Sequence, residues 1–316
     1  MSEDEKKYWT RTFTNALYIE KDIKFAVDKL LHYERPRAAL RCISSGMFQG
    51  KNLDSEQSIE VLLASLNSKE SINALVPYEV VKLIKYLQSE EEINQEALAK
   101  IEWAYLPWLD YKLDARPRLL EWKLGTDASF FCQIIQLIYK SNKATEEKPN
   151  TDSVDENKRQ LATNAWQLLH NWNTVPGTDM EGHFDSGLFQ EWFEEVKKIC
   201  IDSGHYRVAM QQIGGVLINT LEDSDGLWID MTVAATLNDK DAKELRRGYS
   251  MGLYNSRGAH LVDPTGQPEK KLAIEYDNKA EAIENAGYHR FAVTLRELAN
   301  GYKREAEGVI SDYKDN

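Results

Sequence analysis

Residues Asp185–Met210 read DSGLFQEWFEEVKKICIDSGHYRVAM. Leu188, Trp192, Val196 and Ile199 recur at helical spacing, which makes one face of the segment apolar. Asp185 or Ser186 stands where an N-cap accepts the first free backbone N–H groups. Gly204 stands where a helix ends in the left-handed conformation. A second apolar run, Tyr206-Arg207-Val208-Ala209-Met210, begins directly after the break. The stretch therefore predicts a helix, a tight break and another helix. One such hairpin cannot bury its apolar face alone and needs a stacked neighbour on each side.

The same break recurs along the chain. It appears as Arg35-Pro36-Arg37-Ala38-Ala39-Leu40, as Arg116-Pro117-Arg118-Leu119-Leu120 and as Gly287-Tyr288-His289-Arg290-Phe291-Ala292-Val293. Arg37, Arg118, Arg207 and Arg290 are separated by 81, 89 and 83 positions. Each interval holds two hairpins of about 40 residues, the size of HEAT or TPR-like units. The longest interval contains SNKATEEKPNTDSVDEN, residues 141–157, a polar stretch that absorbs the excess as a solvated loop.

Further apolar stripes fill the space between breaks: Ile23, Ala26, Val27, Leu30 and Leu31; Val80, Leu83, Ile84 and Leu87, with Pro77 in the first turn; Phe130, Phe131, Ile134, Ile135 and Ile138; Leu161, Ala165, Leu168, Leu169 and Trp172; Phe291, Leu295, Leu298 and Tyr302. The one alternating stretch, Leu227, Ile229, Met231 and Val233, has no partner strand and reads as the start of a helix. The prediction is an all-α, α-solenoid-like array of about fourteen helices, curved, with a concave face. Its rival is an irregular helical bundle. Residues 1–140 form the first set of hairpins, 141–157 the flexible loop, and 158–316 a second set packed on the first.

Composition narrows function. The chain has 316 residues, 42% apolar and 28% charged, a normal globular balance. A net charge of −12 opposes a nucleic-acid role, because such binding rests on neutralising phosphates. Cys42, Cys132 and Cys200 lie far apart with no C-x-x-C pair, so neither a zinc ribbon nor a disulfide framework is expected. The acidic start, Met1-Ser2-Glu3-Asp4-Glu5, lacks the apolar run of a signal peptide, and no segment has the apolar length of a membrane span. These features predict a cytoplasmic protein.

Candidate sites carry competing readings. Cys200 and His205 resemble a nucleophile and base, but Cys200 lies on a helical stripe and reads as a buried apolar residue. Asp179, His183 and Asp185 fall within one loop, where caps and turns compete with metal binding. Asp223-Ser224-Asp225-Gly226 begins like a calcium loop but has Trp228 and Ala234 where glycine and glutamate are required. Gly248 and Gly252 would let two helices approach closely. Arg246, Arg247 and Arg257, with His260 just beyond, form the best basic cluster, suited to an anion or acidic partner or to neutralising a helix end. Trp103, Trp108 and Trp122, among Tyr105 and Tyr111, serve as core fillers or as partner anchors.

The C-terminal third carries a resemblance. Gly248-Tyr-Ser-Met-Gly-Leu-Tyr-Asn-Ser-Arg-Gly258, Asp263-Pro264 and Ala286-Gly287-Tyr288-His289-Arg290-Phe291-Ala292 resemble the C-terminal helical region of large bacterial proteins of unassigned function. The resemblance extends upstream through Arg35-Pro36-Arg37-Ala38-Ala39. It implies a sensor or scaffold arm whose effector lies elsewhere, a layout analogous to bacterial defence systems, and it transfers no catalytic residue. The sequence thus predicts a non-catalytic scaffold that binds a protein partner, without cofactor, metal, nucleic acid or membrane. The alternatives are a helical enzyme assembled from His170, His183, His205, Asp223 and Arg257, or an anion or nucleotide sensor built on the Arg246–Arg257 cluster.

Overall fold

Apolar stripes separated by glycine and proline breaks leave the backbone one way to satisfy its hydrogen bonds, within each helix. The computed structural model describes residues 4, 5, 7, 8, 11, 20–48, 50, 53–66, 68–70, 76–109, 115–143, 156–223, 226–259 and 261–314. It is 75% helical. Among the described residues there are fourteen α-helices and no strand, only an isolated bridge between Thr178 and Phe184. The protein is therefore all-α. Much of the polar segment, 144–155, lies outside the described residues, as do Tyr111, Ser224, Asp225 and His260.

The chain forms two compact units, residues 1–121 and 122–316. The first holds α1 (Glu20–His32), α2 (Pro36–Phe48), α3 (Ser55–Leu66), α4 (Val76–Leu87) and α5 (Gln95–Ala104), then a 3-10 turn, Leu106–Trp108. Each helix packs on the next and on the next but one: α1 on α2 and α3, α2 on α3 and α4, α3 on α4 and α5, and α4 on α5. Ala26, Val27, Leu40, Val61, Leu62, Val80, Leu83 and Ile84 make the fully buried centre.

Helix α6 (Arg118–Thr126) crosses the division between the units. The second unit continues with α7 (Ala128–Ile138), α8 (Glu156–Asn171), α9 (Ser186–Ser203), α10 (Tyr206–Val216), α11 (Met231–Asn238), α12 (Lys243–Ser256), α13 (Gln267–Asn285) and α14 (His289–Lys314). Here α7 packs on α8, α9 and α10, and α9 also on α10. Beyond them α10 packs on α12, and α14 receives α11, α12 and α13. The alternating stretch before Val233 does start a helix: the Asp230 carboxylate accepts from the N–H groups of Thr232 and Val233 and opens α11.

Three of the four arginine-bearing breaks share one turn. Arg35 N–H donates to Leu30 O at 2.8 Å, His205 N–H to Cys200 O at 2.8 Å, and Tyr288 N–H to Ile283 O at 3.0 Å. This six-to-one bond defines a Schellman ending, whose left-handed residue is Glu34, Gly204 or Gly287. One residue later α2, α10 or α14 begins. Arg35, His205 and Tyr288 are poor N-caps, so other segments supply acceptors. The Glu70 carboxylate accepts from Arg37 N–H at 2.8 Å, and Asn238 Oδ1 from Arg290 N–H at 2.8 Å. At the proline break, Glu102 accepts from Leu119 N–H and Leu120 N–H at 3.3 and 2.9 Å.

Two helix contacts refine the sequence reading. In α9 the buried face is Phe189, Trp192, Phe193, Val196 and Cys200, whereas Leu188 is exposed. Apolar residues sit side by side at 188–189 and 192–193, and the helix rotates to bury the larger aromatic area. The glycine pair of α12 meets a glycine pair on α10. A β-carbon on Gly248 would stand 2.0 Å from Gln211 O, one on Gly214 2.1 Å from Leu245 O, and one on Gly252 3.0 Å from Gly215 Cα. The two backbones touch because nothing but hydrogen occupies those positions.

Candidate functional site

The arginine cluster separates into unlike environments. Arg246 donates from one nitrogen to Leu237 O and Asp239 O, both at 2.7 Å, and so closes the open carbonyl end of α11. Arg257 is largely buried; it pairs with Glu269, lies 3.6 Å from Glu305 and stands 5.9 Å from the Tyr302 ring centre. It thereby ties the end of α12 to α13 and α14. Arg247 is exposed and has no side-chain partner among the described residues. His260 lies outside the described residues.

The tryptophan candidates are half-buried. Trp103 and Trp108 belong to the first unit, where Trp108 packs 5.2 Å from the Tyr105 ring. Tyr105 donates its hydroxyl to Leu62 O at 2.8 Å, which fixes that corner of the core. Trp122 sits on α6, also half-buried. Among the described tryptophans the most exposed is Trp166 at 52%, stacked on His170 with ring centres 4.7 Å apart.

The dispersed titratable residues each serve a local structural task. His205 is buried and places Nε2 3.0 Å from Tyr139 O and Nδ1 3.1 Å from Ser203 Oγ. The carbonyl can only accept, so Nε2 carries the proton, and the ring fastens the end of α7 to the turn before α10. Cys200 contacts Cys132 at 3.3 Å. Asp179 and His183 pair at 3.1 Å within their loop, and Asp185 caps α9 through Gly187 N–H and Leu188 N–H. Asp223 accepts from Met231 N–H at 3.1 Å, beside the Asp230 cap of α11.

The last two carboxylates open onto a feature that no motif marked. A cleft of about 440 Å³ lies in the second unit between the 173–184 loop and the 219–230 segment. Glu222, Asp223 and Asp230 line it, with the amides of Asn173 and Asn219 and the side chain of Leu221, 67% exposed. One wall is held rigidly. Gly177 N–H donates to Gly125 O at 3.0 Å and Asp185 N–H to Gly177 O at 2.9 Å. Asp179 N–H donates to His183 O at 3.0 Å, with Gly182 in the left-handed region at the tip. The other wall is set by the N-terminus of α11. The sequence marks one wall as a loop and the other as a failed calcium loop, and neither reading reveals which segments face each other.

Chemically the cleft is acidic, lined also by threonine hydroxyls and asparagine amides that can donate as well as accept. Three carboxylates and the amide oxygens can receive hydrogen bonds, while Leu221 and Val175 offer apolar contact beside them. The positive end of α11 offsets part of the charge of Asp223 and Asp230, whereas Glu222 stands on exposed chain. Among the described residues no group of three or more histidine, cysteine or carboxylate side chains is arranged to hold a metal ion. Also among the described residues, no helix is long and apolar enough to cross a membrane. Comparison with protein-family models, with curated proteins and with solved structures finds no match for this chain.

Proposed function

We propose that this protein is a non-catalytic helical interaction module, a scaffold or sensor arm, and that the acidic cleft of its second unit receives a basic segment of a protein partner. The cleft carries the reading. A lysine or arginine side chain would lay its methylene stem against Leu221 and Val175 and bring its charged head to Glu222, Asp223 and Asp230. A net charge of −12 would draw a basic partner toward the surface before contact. Within the first unit, packing of each helix from α1 to α5 on its next neighbours supports a hairpin array as the frame, and three cysteines without a disulfide support a reducing, cytoplasmic setting.

The test is titration of a lysine- and arginine-rich peptide into the full chain, followed by calorimetry at low and moderate salt. Binding should weaken steeply with salt, and Glu222→Lys should reduce affinity by roughly tenfold or more while leaving the melting temperature nearly unchanged. Undiminished binding by the folded variant would contradict the assignment.

A further inference from the structure

The chain has three cysteines in 316 residues, and two of them meet. Cys132 projects from α7 and Cys200 from α9, 68 positions apart, and their sulfurs lie 3.3 Å from each other. Both side chains are buried, at 1% and 0% exposure. Cys132 Sγ also points toward Val196 O at 4.0 Å, one turn before Cys200 on the same helix. Only one of the two thiols can donate along the sulfur–sulfur line. With Cys132 as donor, that bond together with burial pushes its pKa up, while accepting the bond draws Cys200 down.

We infer that Cys132 and Cys200 form a reversible dithiol–disulfide site that fastens α7 to α9. A disulfide bond spans about 2.05 Å, so the sulfurs need approach by only roughly 1.2 Å, within reach of small side-chain rotations. The helices already pack together, and the two residues already face each other in their core. Closure would enclose α8 and residues 144–155 in one covalent loop.

Hydrogen peroxide is an oxidant small enough to reach such a pair. The Cys200 thiolate attacks one peroxide oxygen, the O–O bond breaks, and with one proton taken up the products are Cys200 sulfenic acid and water. The Cys132 sulfur then attacks the Cys200 sulfur; the S–O bond breaks, the sulfenic hydroxyl leaves with the Cys132 proton as a second water, and the S–S bond forms. Two thiols lose two electrons and two protons, and one peroxide becomes two waters. A small dithiol reverses the change by exchange. Because both sulfurs are buried, oxidation should proceed only as the α7–α9 contact opens, and therefore slowly. Cys42 belongs to the first unit; burial pushes its thiol up to about 11, and it serves as an internal control.

The experiment treats the full chain with peroxide, then quenches and unfolds it. Thiol titration should fall from three groups to one. Digestion without reductant should yield a single linked pair of peptides containing Cys132 and Cys200, lighter by two hydrogens. The melting temperature of the oxidised protein should rise by several degrees and return after dithiothreitol. Cys42→Ala should preserve all of this, and Cys132→Ala should abolish the linkage and the shift. If Cys132→Ala fails to fold, peptide mapping of the unaltered chain still decides. Three remaining thiols, sulfinic acid on Cys200 without linkage, or a crosslink through Cys42 would each overturn the proposal.

Discussion

Glu102 lies fully buried in the first unit, where Gln88 donates to it at 2.6 Å and the N–H groups of Leu119 and Leu120 point at its oxygens. Burial dominates these bonds and, with Glu121 nearby, raises its pKa to about 7. Between the unfolded pKa near 4.5 and the folded value, the folded state holds more protons, so stability falls as pH rises through that window. The loss is on the order of 3 kcal/mol and is complete above the folded pKa. Denaturant unfolding of the wild type and Glu102→Gln at pH 5 and pH 8 should show a steeper decline in the wild type; parallel profiles would refute this. Residue roles were legible where the partner is local. Asp185 as a cap and Gly204 as a helix end follow from the sequence. Glu102, Glu70 and Asn238 were not legible as caps, because the N–H groups they receive belong to distant segments. For Arg246 and Arg257 the sequence offers a contact for an anion or acidic partner or a helix end, and it does not choose, because their partners, Leu237 O and Glu269, come together only in the fold.

Helices and their breaks were legible from periodicity, because burial needs an apolar face and glycine, proline and capping residues mark most breaks. The recurrence of Arg37, Arg118, Arg207 and Arg290 corresponds to a shared Schellman turn at three of its four sites. The close approach expected of Gly248 and Gly252 is realised between α10 and α12, although the sequence did not say that Gly214 and Gly215 would face them. Gly248→Ala would push a β-carbon to 2.0 Å from Gln211 O, and neither backbone can yield without parting the helices. A loss of about 2–3 kcal/mol is expected. Gly301→Ala on α14 meets nothing within 4 Å and should be neutral or stabilising by about 0.5–1 kcal/mol. Equal effects of the two substitutions in thermal unfolding would mean that the α10–α12 contact is not close.

For the whole molecule, the net charge of −12 leads the sequence reading away from nucleic acid as a partner, but it cannot locate a contact. The cleft joins a loop near residue 178 to one near residue 223, and that pairing depends on how α8, α9 and α11 pack in the second unit. The tryptophans at 103, 108 and 122 read as core fillers or as partner anchors, and each is half-buried. Hydrogen–deuterium exchange of the full chain, with and without a lysine- and arginine-rich peptide, tests the assignment most directly. The account predicts added protection in residues 173–184 and 219–230 and little change elsewhere in the second unit. Protection centred on Trp166 and His170, on Arg247, or on the first unit alone would contradict it.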